Sequence, residues 1–181
     1  MPRIHILGAS GSGTSTLGAA LARRLGVTHA DSDGLYWLPT DPPFTTPRPA
    51  EDRQNMLEQR LPVTGHWVFS GAATKWAASL ETHYSLVVFL RLDPDIRMQR
   101  LRQRETVRWG ARIQPGGDMA AINAEFIAWA ESYDTAGSLR RGLVMHEAWL
   151  ADQPAPVLRL DSRLPVDELV EAVMLKLQTP R

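Results

Sequence analysis

Ile4-His5-Ile6-Leu7-Gly8-Ala9-Ser10-Gly11-Ser12-Gly13-Thr14-Ser15-Thr16-Leu17 is the stretch on which the reading of this chain turns. Ile4 to Leu7 is a run of strand length, and a helical pattern starts at Thr14. Between them, glycines at 8, 11 and 13 open backbone conformations closed to other residues, so successive N–H groups can turn inward around an anion. A helix that starts beside such a loop adds the positive end of its dipole. The arrangement strand, glycine loop, helix therefore predicts a cradle for phosphate oxygens running from Gly8 to Thr16.

Measured against the pattern G-x-x-x-x-G-K-[ST], Gly8, Gly13 and Ser15 match, and Thr14 occupies the lysine position. Lysine would reach the outer phosphates, whereas threonine brings a hydroxyl without charge, so binding is expected to survive better than transfer chemistry. Two rival readings compete with the cradle. One is a plain glycine-serine turn. The other is a dinucleotide loop, for which Asp31 or Asp33 lies at a suitable distance, but G-x-G-x-x-G from Gly11 would need glycine where Thr16 stands.

The chain has 181 residues, 44% of them hydrophobic, enough for one sizeable core, and residues 1–181 are read as a single domain. Twenty basic and twenty acidic residues cancel, so no global field points to nucleic acid or an anionic membrane. The absence of cysteine excludes a disulfide framework, a thiol nucleophile and a cysteine-held metal, and fits a cytoplasmic setting. No segment has the length of a membrane span, and Ile4 to Leu7 is too short for a signal-peptide core. The five histidines show no mutual spacing that suggests a metal site, so structural or surface roles are expected of them.

Strand-length apolar runs recur at Arg3–Leu7, Val27–Ala30, Trp67–Ser70, Leu86–Leu92 and Val157–Leu160. Leu86 to Leu90 is continuously apolar, as a parallel strand covered on both faces must be. Helical patterns alternate with these runs at Thr14–Leu25, Ala50–Leu61, Pro94–Val107, Met119–Tyr133, Leu139–Ala151 and Pro165–Leu177. Two segments break the rhythm: Leu38–Pro49, with five prolines, and Gly110–Asp118, which contains Pro115-Gly116-Gly117. Both are expected to be mobile inserts over one edge of the fold, a substrate-side insert at 34–62 and a lid at 108–118.

Asp31-Ser32-Asp33-Gly34 follows the second strand, and two carboxylates spaced by two leave a strand on the same side. One can serve a divalent cation and the other orient or deprotonate a hydroxyl, or the stretch is an Asx turn closed by Gly34. Tyr36 and Trp37 could stack on a bound ring or simply pack under the insert. Lys75 is one of only two lysines, against eighteen arginines. Six arginines and one acid, Glu105, lie between Arg97 and Arg112, and Arg97, Arg100, Arg104 and Arg108 recur at spacings of three or four. Like charges in such a row repel, which is easiest to reconcile with an anion lying against it.

The glycine loop, the acidic pair and Arg100-Leu101-Arg102-Gln103-Arg104, taken in this order, resemble the P-loop small-molecule kinases. These include adenylate kinase, shikimate kinase and the adenylate-kinase-like relatives of the topology modulation protein. Asp31-Ser32-Asp33 looks like the Asp-x-Asp of shikimate kinases, where one carboxylate serves the metal and the other the acceptor. Phe69-Ser70-Gly71-Ala72 stands where that group has a glycine segment near the acceptor. With no aspartate ending the third strand, the metal carboxylate must come from the acidic pair. The resemblance further implies that Arg100 stacks on adenine and that Arg104 contacts phosphate.

The expectation is a three-layer α/β P-loop NTPase fold with a five-stranded, mainly parallel sheet of nucleoside-monophosphate-kinase-like topology. In the favoured reading ATP is the phosphoryl donor, the backbone from Gly8 through Ala9, Ser10, Gly11, Ser12 and Gly13 to Thr14 holds its phosphates, and Ser15 and Asp31 hold Mg2+. Asp33 faces a small acceptor, a nucleotide or a hydroxylated metabolite, and Arg104 and Arg108 stabilise the transferred charge. Arg104, Arg108, Arg112 and Lys75 are the candidates to replace the missing lysine charge. A monomer or homodimer is expected. Thr14 supports a second reading, a nucleotide-binding regulatory module with little kinase activity, and a nucleotide-cofactor oxidoreductase is a more distant third.

Overall fold

The structure, a computed structural model, describes residues 2–74, 76–137 and 140–178. Strand β1 (Arg3–Gly8) leads through the glycine loop into α1 (Thr14–Leu25). That helix is bounded by glycines at both ends: Gly13 at its N-cap has φ 88°, and Gly26 at its C-cap has φ 66° and donates its N–H to the last carbonyls. Both are left-handed positions where a side chain would be strained, so the sequence fixes the helix at its ends. Then follow β2 (Thr28–Asp31), α2 (Ser32–Tyr36), α3 (Ala50–Arg60), β3 (Trp67–Ser70), α4 (Ala78–Glu81) and β4 (Leu86–Arg91). The long α5 (Pro94–Trp109) starts on Asp93, whose carboxylate accepts from the N–H groups of Asp95 and Ile96, with Pro94 in the first turn. After it come α6 (Ala120–Glu131), α7 (Leu143–Ala151), β5 (Val157–Asp161) and α8 (Val166–Gln178).

The strands form one parallel sheet in the order β2-β3-β1-β4-β5. The α/β class and the five-stranded sheet are those expected. The central strands are buried along almost their whole length, and the alternation of side chains divides them between two cores. Ile4, Ile6, Val68, Val88 and Leu90 meet Leu17 and Leu21 of α1 and Val173 of α8. Leu7, Phe69, Val87 and Phe89 meet Leu57 of α3 and Leu150 of α7 on the opposite face. With β1 leading to β2 on one side and β3 crossing to β4 on the other, a crevice opens at the carboxyl ends of β1 and β3.

Several local expectations are revised. Strand β2 extends to Asp31, and the acidic stretch beyond it is the short helix α2; the Asp31 carboxylate accepts from the Asp33 N–H as in an Asx turn and so caps this helix, and Gly34 lies inside the helix rather than closing a turn. Helix α6 stops at Glu131 and tightens into a 3-10 turn at Ser132–Asp134. Residues 110–113 also form a 3-10 turn. Helix α7 starts at Leu143, and the predicted start at Leu139 falls outside the described residues.

Inside the second core, His5 is fully buried, stacked on Tyr84 with 5.0 Å between ring centroids, and bonded through Nδ1 to the carbonyl of Phe69. Burial pushes its pKa from 6.5 down to about 4, with the Phe69 bond opposing the shift. Because the folded pKa is depressed, His5 supports folding fully above pH 6.5 and less as pH falls from 6.5 toward 4. At 1.36 kcal/mol per unit, the loss is about 3 kcal/mol. About 2 kcal/mol of it falls between pH 7 and pH 4.5, so over that interval denaturant unfolding should show a drop for His5→Phe smaller than that of the wild type by about 2 kcal/mol. Equal drops in the two proteins would refute the assignment.

Candidate functional site

A cavity of about 1420 Å³ lies along the carboxyl edge of the sheet, bordered by the glycine loop, the β2 end, α5, α6 and the loop after β5. Of the cradle residues, Gly8, Ala9, Ser10, Gly11, Gly13, Thr14, Ser15 and Thr16 all face it. Gly8 admits no side chain, because a Cβ there would fall 2.5 Å from Ser12 Oγ and 2.8 Å from the Leu90 carbonyl. Ser12 departs from the expected role. It is fully buried, its N–H and hydroxyl both donate to the Ala9 carbonyl, and its own carbonyl accepts from Ser162 Oγ. Ser12 therefore braces the loop from within, leaving its neighbours to face the cavity.

Asp31 and Asp33 both border the cavity. Asp31 stands at the end of β2 opposite Ser70 of β3. One of its carboxylate oxygens accepts from the Asp33 N–H (3.0 Å) and the other from Ser70 Oγ (2.9 Å). Asp33 is accessible from the cavity yet surrounded by protein, which raises its pKa. Asp31 raises it further, while Arg141, Arg104 and Arg108 pull it down.

Arg100, Arg104 and Arg108 line the cavity as the arginine row predicts. Arg100 donates to the Ser162 carbonyl at 3.0 Å, which ties α5 to the loop after β5. Arg104 is held at 2.8 Å by Glu105, whose second oxygen accepts from Trp109. Arg108 lies over the rings of Phe44 and Trp109, at 5.0 and 4.6 Å from their centroids.

Arg97 does not belong with them. It is buried, donates to the carbonyls of Ser10 and Ala130, and pairs with Asp134 at 3.0 Å. Arg112 is likewise committed elsewhere: Asp118 and Asp41 clamp its guanidinium at 2.6 and 2.5 Å and raise its pKa, so it is no spare cation for the phosphates. Lys75 lies outside the described residues. Tyr36 and Trp37 pack edge-to-face with 4.9 Å between ring centroids, but only Trp37 lines the cavity, while Tyr36 packs beneath Arg53 and Trp76.

Sequence reasoning missed Arg141. It enters the cavity wall beside Asp33, with its guanidinium 4.8 Å from the centre of the Trp129 ring. Its Nε is buried and has no hydrogen-bond partner among the described residues. Burial lowers its pKa, and Asp33 opposes that shift. No local pattern distinguishes it in sequence, because only the folded chain brings the start of α7 to α2. His29, for which a structural or surface role is expected, is half-buried, and its link to the acidic pair was not foreseen: its Nε2 lies 2.9 Å from Ser70 Oγ.

The chemistry of the donors suits Mg2+. Ser15 and Asp31 offer oxygen only, and each Asp31 oxygen accepts one hydrogen bond and keeps lone-pair capacity. The described residues contain no group of three or more His, Cys, Asp or Glu able to cage a metal. Magnesium bound together with phosphates needs only one or two protein ligands.

Comparison with known proteins agrees with this fold. Solved structures sharing the fold include a shikimate kinase from Bacteroides thetaiotaomicron, 21% identical with a TM-score of 0.58 over 98% of this chain and 99% of that one. A gluconokinase from Sinorhizobium meliloti is 17% identical with a TM-score of 0.51, covering 97% and 93%. In sequence, the chain is 44% identical over 171 residues to the uncharacterized protein YqaC of Bacillus subtilis (strain 168), spanning 94% of each. Residues 4–112, from β1 through the cradle, the acidic pair and the arginine helix, match the family described as AAA domain, and the chain belongs to that family.

Proposed function

We propose that the protein transfers the terminal phosphoryl group of ATP to a hydroxyl of a small acceptor. The observation that carries this is the opening of the phosphate cradle, the Asp31–Asp33 pair and three arginines into one cavity. The cradle N–H groups and the start of α1 hold the phosphates. Arg100, beside the loop after β5, borders the place for the base. Ser15 and Asp31 would hold Mg2+, whose charge screens the phosphate oxygens from an incoming nucleophile. Asp33 accepts the proton as the acceptor oxygen bonds to the terminal phosphorus. The bond from that phosphorus to the bridging oxygen breaks, and ADP leaves. Arg104 and Arg108 offset the charge on the moving group. The Arg112–Asp41 pair and Arg108 over Phe44 join the lid at 108–118 to the substrate-side insert at 34–62, which shields the reaction from water.

Incubation with ATP, Mg2+ and a panel of nucleoside monophosphates and hydroxylated metabolites tests this, with ADP release and ATP binding followed together. Turnover on one acceptor class is expected. Thr14 favours the second reading, a nucleotide-binding regulatory module, and tight ATP binding without turnover on any acceptor would establish it instead. Failure to bind any nucleoside triphosphate would sink both.

Thr14 is the first residue of α1 and faces the cavity, so its side chain leaves from the cradle itself. Thr14→Lys is expected to tighten ATP binding about tenfold, the worth of one charge-assisted contact. Unchanged or weakened binding measured by calorimetry, with folding intact, would argue against the cradle.

A further inference from the structure

We propose that Ser70 and His29 are positioning residues that fix the Asp31 carboxylate for metal binding and hold it in register with Ser15. This rests on the phosphotransferase reading above, in which Asp31 and Ser15 share the metal.

Hydrogen-bond logic gives the network a direction. An ionised carboxylate only accepts, so the single hydroxyl proton of Ser70 goes to Asp31, at 2.9 Å. Ser70 Oγ is then the acceptor for His29, so the imidazole carries its proton on Nε2, also at 2.9 Å. The chain runs from His29 to Ser70 to Asp31, and the Asp33 N–H fixes the other carboxylate oxygen at 3.0 Å. Each oxygen has one donor in place, and the plane of the carboxylate is set from two sides.

Strand pairing brings the three groups together. Asp31 and Ser70 are register partners on β2 and β3, with His29 two residues back on the same face of β2. Ser70 is wholly buried, so its hydroxyl is not a casual surface contact.

Helix α1 closes the arrangement from the other side. A Cβ on Gly18 would lie 2.5 Å from His29 Nε2 and 3.0 Å from Ser70 Cβ, so the helix backbone rests directly on this pair. Ser15 precedes Gly18 by three residues, a spacing that places both on the same side of the helix. The His29–Ser70 pair therefore sits between the helix that presents Ser15 and the strand that presents Asp31. It sets the separation of the two oxygen donors, a task that orienting partners of metal ligands commonly perform.

The test uses the full chain, ATP, and Mn2+ or Mg2+. Ser70→Ala and His29→Phe are expected to weaken Mn2+ binding to the ATP complex, measured by electron paramagnetic resonance, by about tenfold or more. ATP affinity in EDTA should stay near that of wild type. His29→Gln, which keeps a donor at similar reach, should recover most of the loss. Equal weakening of ATP binding with and without metal would mean that the pair only supports the fold, and would overturn the proposal. So would Mn2+ affinity unchanged in Ser70→Ala and His29→Phe. Asp31→Asn separates the two levels of the argument. If it leaves Mn2+ affinity intact, the metal role of Asp31 fails and the positioning role falls with it. If it weakens Mn2+ binding while Ser70→Ala and His29→Phe do not, only the positioning role fails.

Discussion

Asp33→Asn is expected to slow phosphoryl transfer by about 10²- to 10⁴-fold while leaving ATP affinity within about twofold of wild type, the range that loss of a positioned general base produces. The carboxylate is the only group of α2 that combines access from the cavity with strong surrounding charge. Burial and Asp31 make it more basic, and Arg141, Arg104 and Arg108 hold that tendency in check. An amide keeps the shape but accepts no proton at neutral pH. Removing one negative charge among three arginines should not repel ATP, so the loss should fall on kcat with little rise in the KM for ATP. The acceptor assay, or slow ATP hydrolysis with water as acceptor, supplies the readout. A variant with undiminished kcat would shift the base to another residue, with Asp31 first in line.

The parts of this site that were legible in sequence are those whose chemistry is local. Glycines at 8, 11 and 13 announce the cradle because no other residue follows the backbone there, and the positive φ at Gly11 and Gly13 bears this out. The spacing of Asp31 and Asp33 put both carboxylates into the cavity, and the Asx-type bond named as the alternative is present as well, as the cap of α2. Arg100, Arg104 and Arg108, each four residues apart, form one stripe of α5 along the cavity. Arg97 was grouped with them wrongly: it shares their side of a helix of 3.6 residues per turn but lies about two and three turns before Arg104 and Arg108, near the start of α5, where Ser10, Ala130 and Asp134 take up its guanidinium. It belongs instead to the buried stripe Arg97, Leu101 and Glu105. Arg141 and the His29–Ser70 pair were invisible for a different reason. Their partners are brought near by strand pairing and chain crossing, and no spacing along the chain encodes that.

Arg97→Met should destabilise the protein by about 3 kcal/mol, within the range for breaking a buried ion pair by removing one partner. The side chain is 1% exposed and its partner Asp134 is 20% exposed, so Asp134 recovers some hydration and the cost lies at the lower end of that range. The loss is not confined to Asp134. The same guanidinium serves the carbonyls of Ser10 in the cradle and Ala130 in α6, and those acceptors would be left unpaired. The Arg97 backbone also supports the loop, since its carbonyl lies 2.9 Å from where a Cβ on Gly11 would be. Denaturant unfolding should show the drop, and Arg97→Met combined with Asp134→Leu should recover part of it, because an apolar pair leaves no stranded charge. This result also decides between two roles for the same arginine. A brace beneath the cradle lowers stability first and ATP affinity only as a consequence of a looser Ser10. An arginine that touched phosphate would instead lose ATP affinity with stability intact, which would return Arg97 to the cavity-facing stripe from which the fold removes it.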